Sequence, residues 1–118
     1  MKNQYEHLRT DTRDQLPDWV NYPQPERVET IQIFHDGWQH IEIRIGRQEG
    51  YYVVGLTCFM SKGGHNFGPS RKWGQFSGRK DAILWGLGKL LEIDDLVTGA
   101  ARKAVQERLF SEQQPTLF

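Results

Sequence analysis

Five cations fall within one stretch of twenty residues: Lys62, Arg71, Lys72, Arg79 and Lys80 lie in positions 61–80, which contain no acid. Trp73 and Phe76 sit among them. Cations neutralise phosphates and aromatic faces stack on bases, so this combination suits a nucleic-acid surface, in particular one for single strands or splayed bases. A second set lies in the last five residues, Gln114-Pro115-Thr116-Leu117-Phe118. The amide of Gln114 can hydrogen-bond at the rim of a groove, while Leu117 and Phe118 together fill an apolar pocket. Pro115 blocks a continuing helix and favours the extended path that a docking peptide needs.

Little else in the chain has the spacing of a reactive site. His40, Glu42 and His65 can meet on one sheet face and form a metal or acid–base site, but their spacing is that of no known ligand set, and surface histidines are the plainer reading. The His35-Asp36 pair sits at a hairpin turn without further ligands. Gly63-Gly64-His65-Asn66-Phe67-Gly68 lacks the Gly-Lys-(Ser/Thr) that makes a phosphate loop. The single Cys58 excludes an internal disulfide framework and a zinc knuckle, and its apolar neighbours mark a buried, inert thiol. No catalytic residue, metal or cofactor is expected.

Several elements must position these groups. The 118 residues suit one domain with tails, and the chain has zero formal net charge, 25% charged and 37% hydrophobic residues. The charge is uneven: +5 over 61–80, −2 over 81–118 and −3 over the first sixty residues. A basic window on a neutral chain points to one anion-facing surface. No apolar run is long enough to span a bilayer and no signal peptide is visible, so no membrane and a cytoplasmic location are expected. Residues 1–27 read as a polar N-terminal arm, its first dozen residues loosely ordered and Trp19, Val20 and Tyr22 folding back. Three strands follow, at 28–35, 38–45 and 51–60, the second alternating through Ile41, Ile43 and Ile45. Asp36-Gly37 marks a hairpin turn. The third strand is apolar on both faces and therefore central, with Gly55 a bulge or a point of close backbone approach. After a Gly-rich loop at 61–70, residues 71–76 suggest a short fourth strand. Ser77 is placed to cap a helix carrying Ile83, Leu84, Leu87, Leu90 and Leu91, in which Gly86 and Gly88 permit close approach to the sheet. A second helix with Val97, Ala101, Ala104, Val105 and Leu109 on one side runs to Phe110. The expected fold class is α+β, a three- to four-stranded antiparallel meander over 28–110 with two C-terminal helices on one face. The other face is left free for a ligand, and 111–118 form a flexible tail.

Two resemblances attach to these residues. Gln114-Pro115-Thr116-Leu117-Phe118 resembles the bacterial sliding-clamp-binding peptide, Gln-Leu-(Ser/Asp)-Leu-Phe, departing at Pro115. Gln106-Glu107-Arg108-Leu109-Phe110 has the same spacing but falls on the second helix. Residues 74–91, Gly74-Gln75-Phe76-Ser77-Gly78-Arg79-Lys80-Asp81-Ala82 and the Leu-rich helix after them, resemble the end of a double-stranded-RNA-binding domain, without that family's first helix. The meander-then-helix order is also that of Whirly-type single-strand binders, a likeness of fold alone. Together they imply an accessory protein of DNA metabolism, of the kind a mobile element carries, that binds nucleic acid and docks on a sliding clamp. The alternative is a protein-interaction module or clamp inhibitor that binds no nucleic acid.

Overall fold

Two tight turns fix the register of the first three strands. Strand β1 (Glu26–Asp36) and β2 (Gln39–Gln48) are joined by Gly37-Trp38, with Gly37 at φ +63°. Strand β2 and β3 (Tyr51–Met60) are joined by Glu49-Gly50, both at positive φ (52° and 84°), the geometry of two-residue hairpin loops. Ser61-Lys62 then turns the chain into β4 (Gly63–Phe67). The four strands form one antiparallel meander in the order β1-β2-β3-β4, followed by helices α1 (Arg79–Glu92) and α2 (Gly99–Gln113). The chain is therefore an α+β domain. This computed structural model describes residues 3–10, 25–70 and 73–114.

The pairing sorts side chains onto two faces, because partners in an antiparallel ladder point the same way. Ile41 pairs with Cys58, Ile43 with Leu56 and Ile45 with Val54, and Ile31 pairs with Ile43. All are buried and face the helices. Helix α1 packs on β2 and β3 through Ile83, Leu87 and Leu90; α2 packs on α1 and β1 through Ala101, Val105 and Leu109. Burying such a side chain contributes about 1.5–3 kcal/mol, so this one layer supplies most of the stability.

Several expectations need correcting. The fourth strand is 63–67, inside the segment read as a loop, and among the described residues of the expected strand only Phe76 pairs, in an isolated bridge to Tyr52. Its glycines are tolerated because β4 is a short edge strand and draws its order from β3. Gly78 rather than Ser77 occupies the cap position of α1, and no side chain caps that turn. Helix α2 continues three residues beyond Phe110, so the expected tail begins later than 111.

The N-terminal segment is also more than a loose arm. Asn3 and Tyr5 are buried against α1, ahead of a 3₁₀ turn at Glu6–Leu8. Asn3 Nδ2 donates to the Trp85 carbonyl (2.9 Å), Trp85 Nε1 donates to Glu6 Oε2 (3.0 Å), and Gln113 Nε2 donates to Tyr5 Oη. Gly86 lies against Ile43 and Val54 of the sheet, as expected, whereas Gly88 lies against Asn3 and Tyr5. Trp19, Val20 and Tyr22 lie outside the described residues.

Nor is the second sheet face wholly free. The chain leaving β4 crosses it at Gly55: a Cβ there would sit 2.6 Å from Gly68 C, 2.7 Å from Phe67 O and closer still to Pro69 N. Close backbone approach, one of the two alternatives for Gly55, is what the fold uses. Pro25 covers the same face at Gly46.

Candidate functional site

The two ends of the segment 62–80 lie far apart. Tyr52, which bridges to Phe76, and Met60, which pairs with Gly63, lie eight steps apart on β3, about 26 Å at 3.3 Å per residue. Lys62 sits in the turn beyond Met60, whereas Arg79 and Lys80 open α1 at the opposite end. Both lysines are exposed. Arg79 is engaged: its Nε and Nη2 donate to the two oxygens of Glu29 at 2.6 and 2.9 Å. That hydrogen-bonded pairing holds the Glu29 carboxyl below the usual carboxylate range and raises the guanidinium in return.

The two aromatics of the segment differ. Phe76 is wholly buried, with its ring 5.5 Å from Trp85, so it cannot stack on a base, and its assignment to a nucleic-acid surface is withdrawn. A bulky residue bridged to β3 under α1 belongs to the core, and only the pairing with Tyr52 reveals that. Trp73 is half-buried, its ring 4.6 Å from Phe67. Arg71 and Lys72 lie outside the described residues.

At the C-terminus, Gln114 is exposed, accepts an extended backbone (φ −66°, ψ 135°) and donates from Nε2 to the Phe110 carbonyl at 3.5 Å. Leu117 and Phe118 lie outside the described residues. The internal copy is spoken for: Gln106–Phe110 is α-helical and Leu109 is buried in the core, although Phe110 is 67% exposed.

The open half of the outer sheet face sets His35, His40 and Glu42, which the sequence singled out only as metal or acid–base candidates, beside groups that it did not single out. Here His35 pairs with His40, His40 with Phe59, Gln32 with Glu42 and Thr57 with Asn66. Phe59 is 40% exposed, and its ring lies over β4 because Gly64 has no side chain: a Cβ there would come 2.9 Å from Phe59 Cδ1. His40 meets that ring edge-on at 5.4 Å and approaches Glu42 at 3.8 Å. Trp38, in the adjoining turn, is 66% exposed. At the strip's upper end Arg44 Nη2 donates to Thr57 Oγ1 and Asn66 Oδ1 (both 3.0 Å) and to the Phe67 carbonyl (3.4 Å). Arg44 Nε is buried and has no acceptor. Side-chain alternation in β2 was visible in the sequence, but not which residues of β3 and β4 would stand beside it.

The suggested His40–Glu42–His65 site is not assembled. His65 pairs with Cys58 and so faces away from His40 and Glu42, its ring edge-on to Phe67. Among the described residues no group of three or more His, Cys, Asp or Glu is placed to hold a metal ion. Burial pushes the Cys58 thiol up, which keeps it protonated and unreactive. No helix among the described residues is long and apolar enough to cross a membrane. A cavity of about 190 Å³ opens between Asp36, Gln39, Lys62 and the start of α2. No protein-family model, curated protein or solved structure matches the chain.

Proposed function

We propose that this chain is an accessory protein of DNA metabolism, an α+β domain that contacts nucleic acid and is held at replicating DNA by a C-terminal peptide docked on a sliding clamp. The observation that carries the reading is the way α2 ends. The helix stops at Gln113, and the backbone turns extended at Gln114, the first residue of the clamp-like motif. A groove-docking peptide needs its amide and its two apolar anchors presented along an extended path. Gln106–Phe110 offers the same residue types in a helix with its Leu buried, so that copy is not the one assigned to docking. Tethering raises the local concentration of a weak binder without new contacts. That suits a chain of zero formal net charge in which Lys62 and Lys80 lie at opposite ends of the sheet.

The test is calorimetric titration of a purified bacterial sliding clamp with the intact protein, with Leu117→Ala/Phe118→Ala, and with a chain ending at Gln113, which keeps the bond to Tyr5. Micromolar binding by the intact protein, lost in both variants, is the expected result. Absence of binding by the intact protein refutes the tether.

The separation of Lys62 from Lys80 favours a second reading, a protein-interaction module that occupies the clamp groove and binds no nucleic acid. Arg71→Glu/Lys72→Glu separates the two. Under the first it weakens nucleic-acid binding; under the second no nucleic acid is bound by any variant and clamp binding is unchanged.

A further inference from the structure

We infer that the nucleic acid is single-stranded and lies along the open half of the outer sheet face, its bases on Phe59 and Trp38 and a phosphate at Arg44. This inference rests on the nucleic-acid reading above and relocates its site from the segment 62–80.

Phe59 offers a ring face where an aromatic side chain is ordinarily a core residue. The absence of a side chain at Gly64 lets that ring lie down over β4 instead of standing off the sheet. With Trp38 in the adjoining turn and His40 against Phe59, the lower part of the strip is a stacking floor for unpaired bases. Arg44 lies four residues along β2 from His40, about 13 Å. Three acceptors hold its Nη2, so the guanidinium is fixed in orientation. Asn66 and Gln32 add amides at either side of the strip for base edges. One acid, Glu42, shares the strip, 3.8 Å from His40 Nε2.

Width decides between single strand and duplex. Four strands spaced about 4.8 Å apart place the outer strand axes about 14 Å from each other, before side chains are added. A B-form major groove is about 12 Å wide and admits a helix or a two-stranded ribbon. A four-stranded face does not enter it, whereas a single strand lies across it with its bases turned down. A protein partner fits less well, because the strip exposes no aliphatic cluster: Val53, on this face, is buried and the open positions are aromatic, imidazole, amide, carboxylate and guanidinium groups.

Salt dependence separates this site from the basic segment. For single strands the slope of log K against log salt is about −0.7 per neutralised phosphate. One fixed cation predicts a slope near −0.7, whereas five cations of the segment 62–80 predict about −3.5. The experiment is fluorescence anisotropy with labelled oligo(dT), oligo(rU) and a duplex of the same length, on the full chain over a salt series. Wild type is expected to prefer the single strands with a shallow slope. Trp38→Ala/Phe59→Ala is expected to weaken binding about tenfold or more, since stacking contributes that much per base. Both residues are substantially exposed, and an unchanged melting temperature will show that the fold persists. Trp38→Phe keeps a stacking face and should keep most of the affinity. If single strands bind but the Trp38/Phe59 variant is unaffected and Arg71→Glu/Lys72→Glu/Lys80→Glu abolishes binding, the outer-face site is refuted while the nucleic-acid reading stands. A preference for duplex likewise refutes the site. If no oligonucleotide binds, the nucleic-acid reading falls and the site with it.

Discussion

Replacing Gly55 by alanine should cost this fold about 2–3 kcal/mol, although the change adds a single methyl to a strand. The methyl would meet backbone: Gly68 C at 2.6 Å, Phe67 O at 2.7 Å, and Pro69 N nearer than either. Comfortable carbon contacts lie at about 3.5–4.0 Å, so the crossing chain must lift by roughly 1 Å. Overpacking of this kind typically costs about 1–3 kcal/mol, and backbone atoms cannot rotate aside as a side chain can. The displacement also pulls the Phe67 carbonyl from Arg44 Nη2, already at 3.4 Å, a hydrogen bond contributing about 1 kcal/mol. Alanine returns about 0.5–1 kcal/mol through reduced freedom of the unfolded chain. At about 4 °C per kcal/mol the melting temperature should fall by roughly 10 °C. The assay is urea denaturation with thermal melting, against Gly68→Ala as control, where a methyl meets nothing within 4 Å. Gly68→Ala should change stability by less than about 0.5 kcal/mol. A Gly55→Ala protein as stable as wild type would show that the chain does not cross the sheet at that point.

The two glycines of α1 should respond differently to the same substitution. Gly86→Ala meets only side-chain carbons of Ile43 and Val54, at 3.2–3.5 Å, and gains about 1 kcal/mol of helix propensity, so it should be near neutral by denaturation. Gly88→Ala collides with Asn3 Oδ1 and should release the N-terminal segment, read as faster amide exchange at residues 3–9 and loss of about 1–2 kcal/mol. Cys58 should resist a thiol reagent in the folded protein at pH 8 and react at once in denaturant, because burial removes access and raises the thiol above its ordinary range. Labelling of the native protein at the denatured rate would refute its placement between β2 and β4.

The meander was legible because its information is local. Ile41, Ile43 and Ile45 alternate with polar residues, and the hairpin turns carry glycines at positive φ. What stayed hidden depended on partners distant in sequence. Gly63 and Gly64 look like loop residues until β3 supplies the other half of the ladder. Phe76 looks like a surface aromatic among cations until its bridge to Tyr52 carries it under α1. The parity that turns His65 away from His40 is set by the register across β3, to which no local pattern refers. Tyr5 stands among polar neighbours, and its place in the core is set by Gly88 more than eighty positions later. Of the candidate surface, Lys62, Lys80 and Gln114 are exposed, whereas the strip around Phe59 was not recognisable because its four strands contribute only one to three residues each.

The bond from Gln113 to Tyr5 joins residues 108 apart in sequence. Loop-closure entropy grows with the length of chain enclosed, so contacts within the hairpins can form early and this one must form late. A chain emerging from the ribosome can assemble the meander, then α1, with Tyr5 and Asn3 already settled on Gly88. The last turn of α2 has its partner waiting and is delivered only when synthesis has passed it. The last turn of α2 is thus among the late pieces of the described residues to lock, and its closure on Tyr5 marks a finished domain.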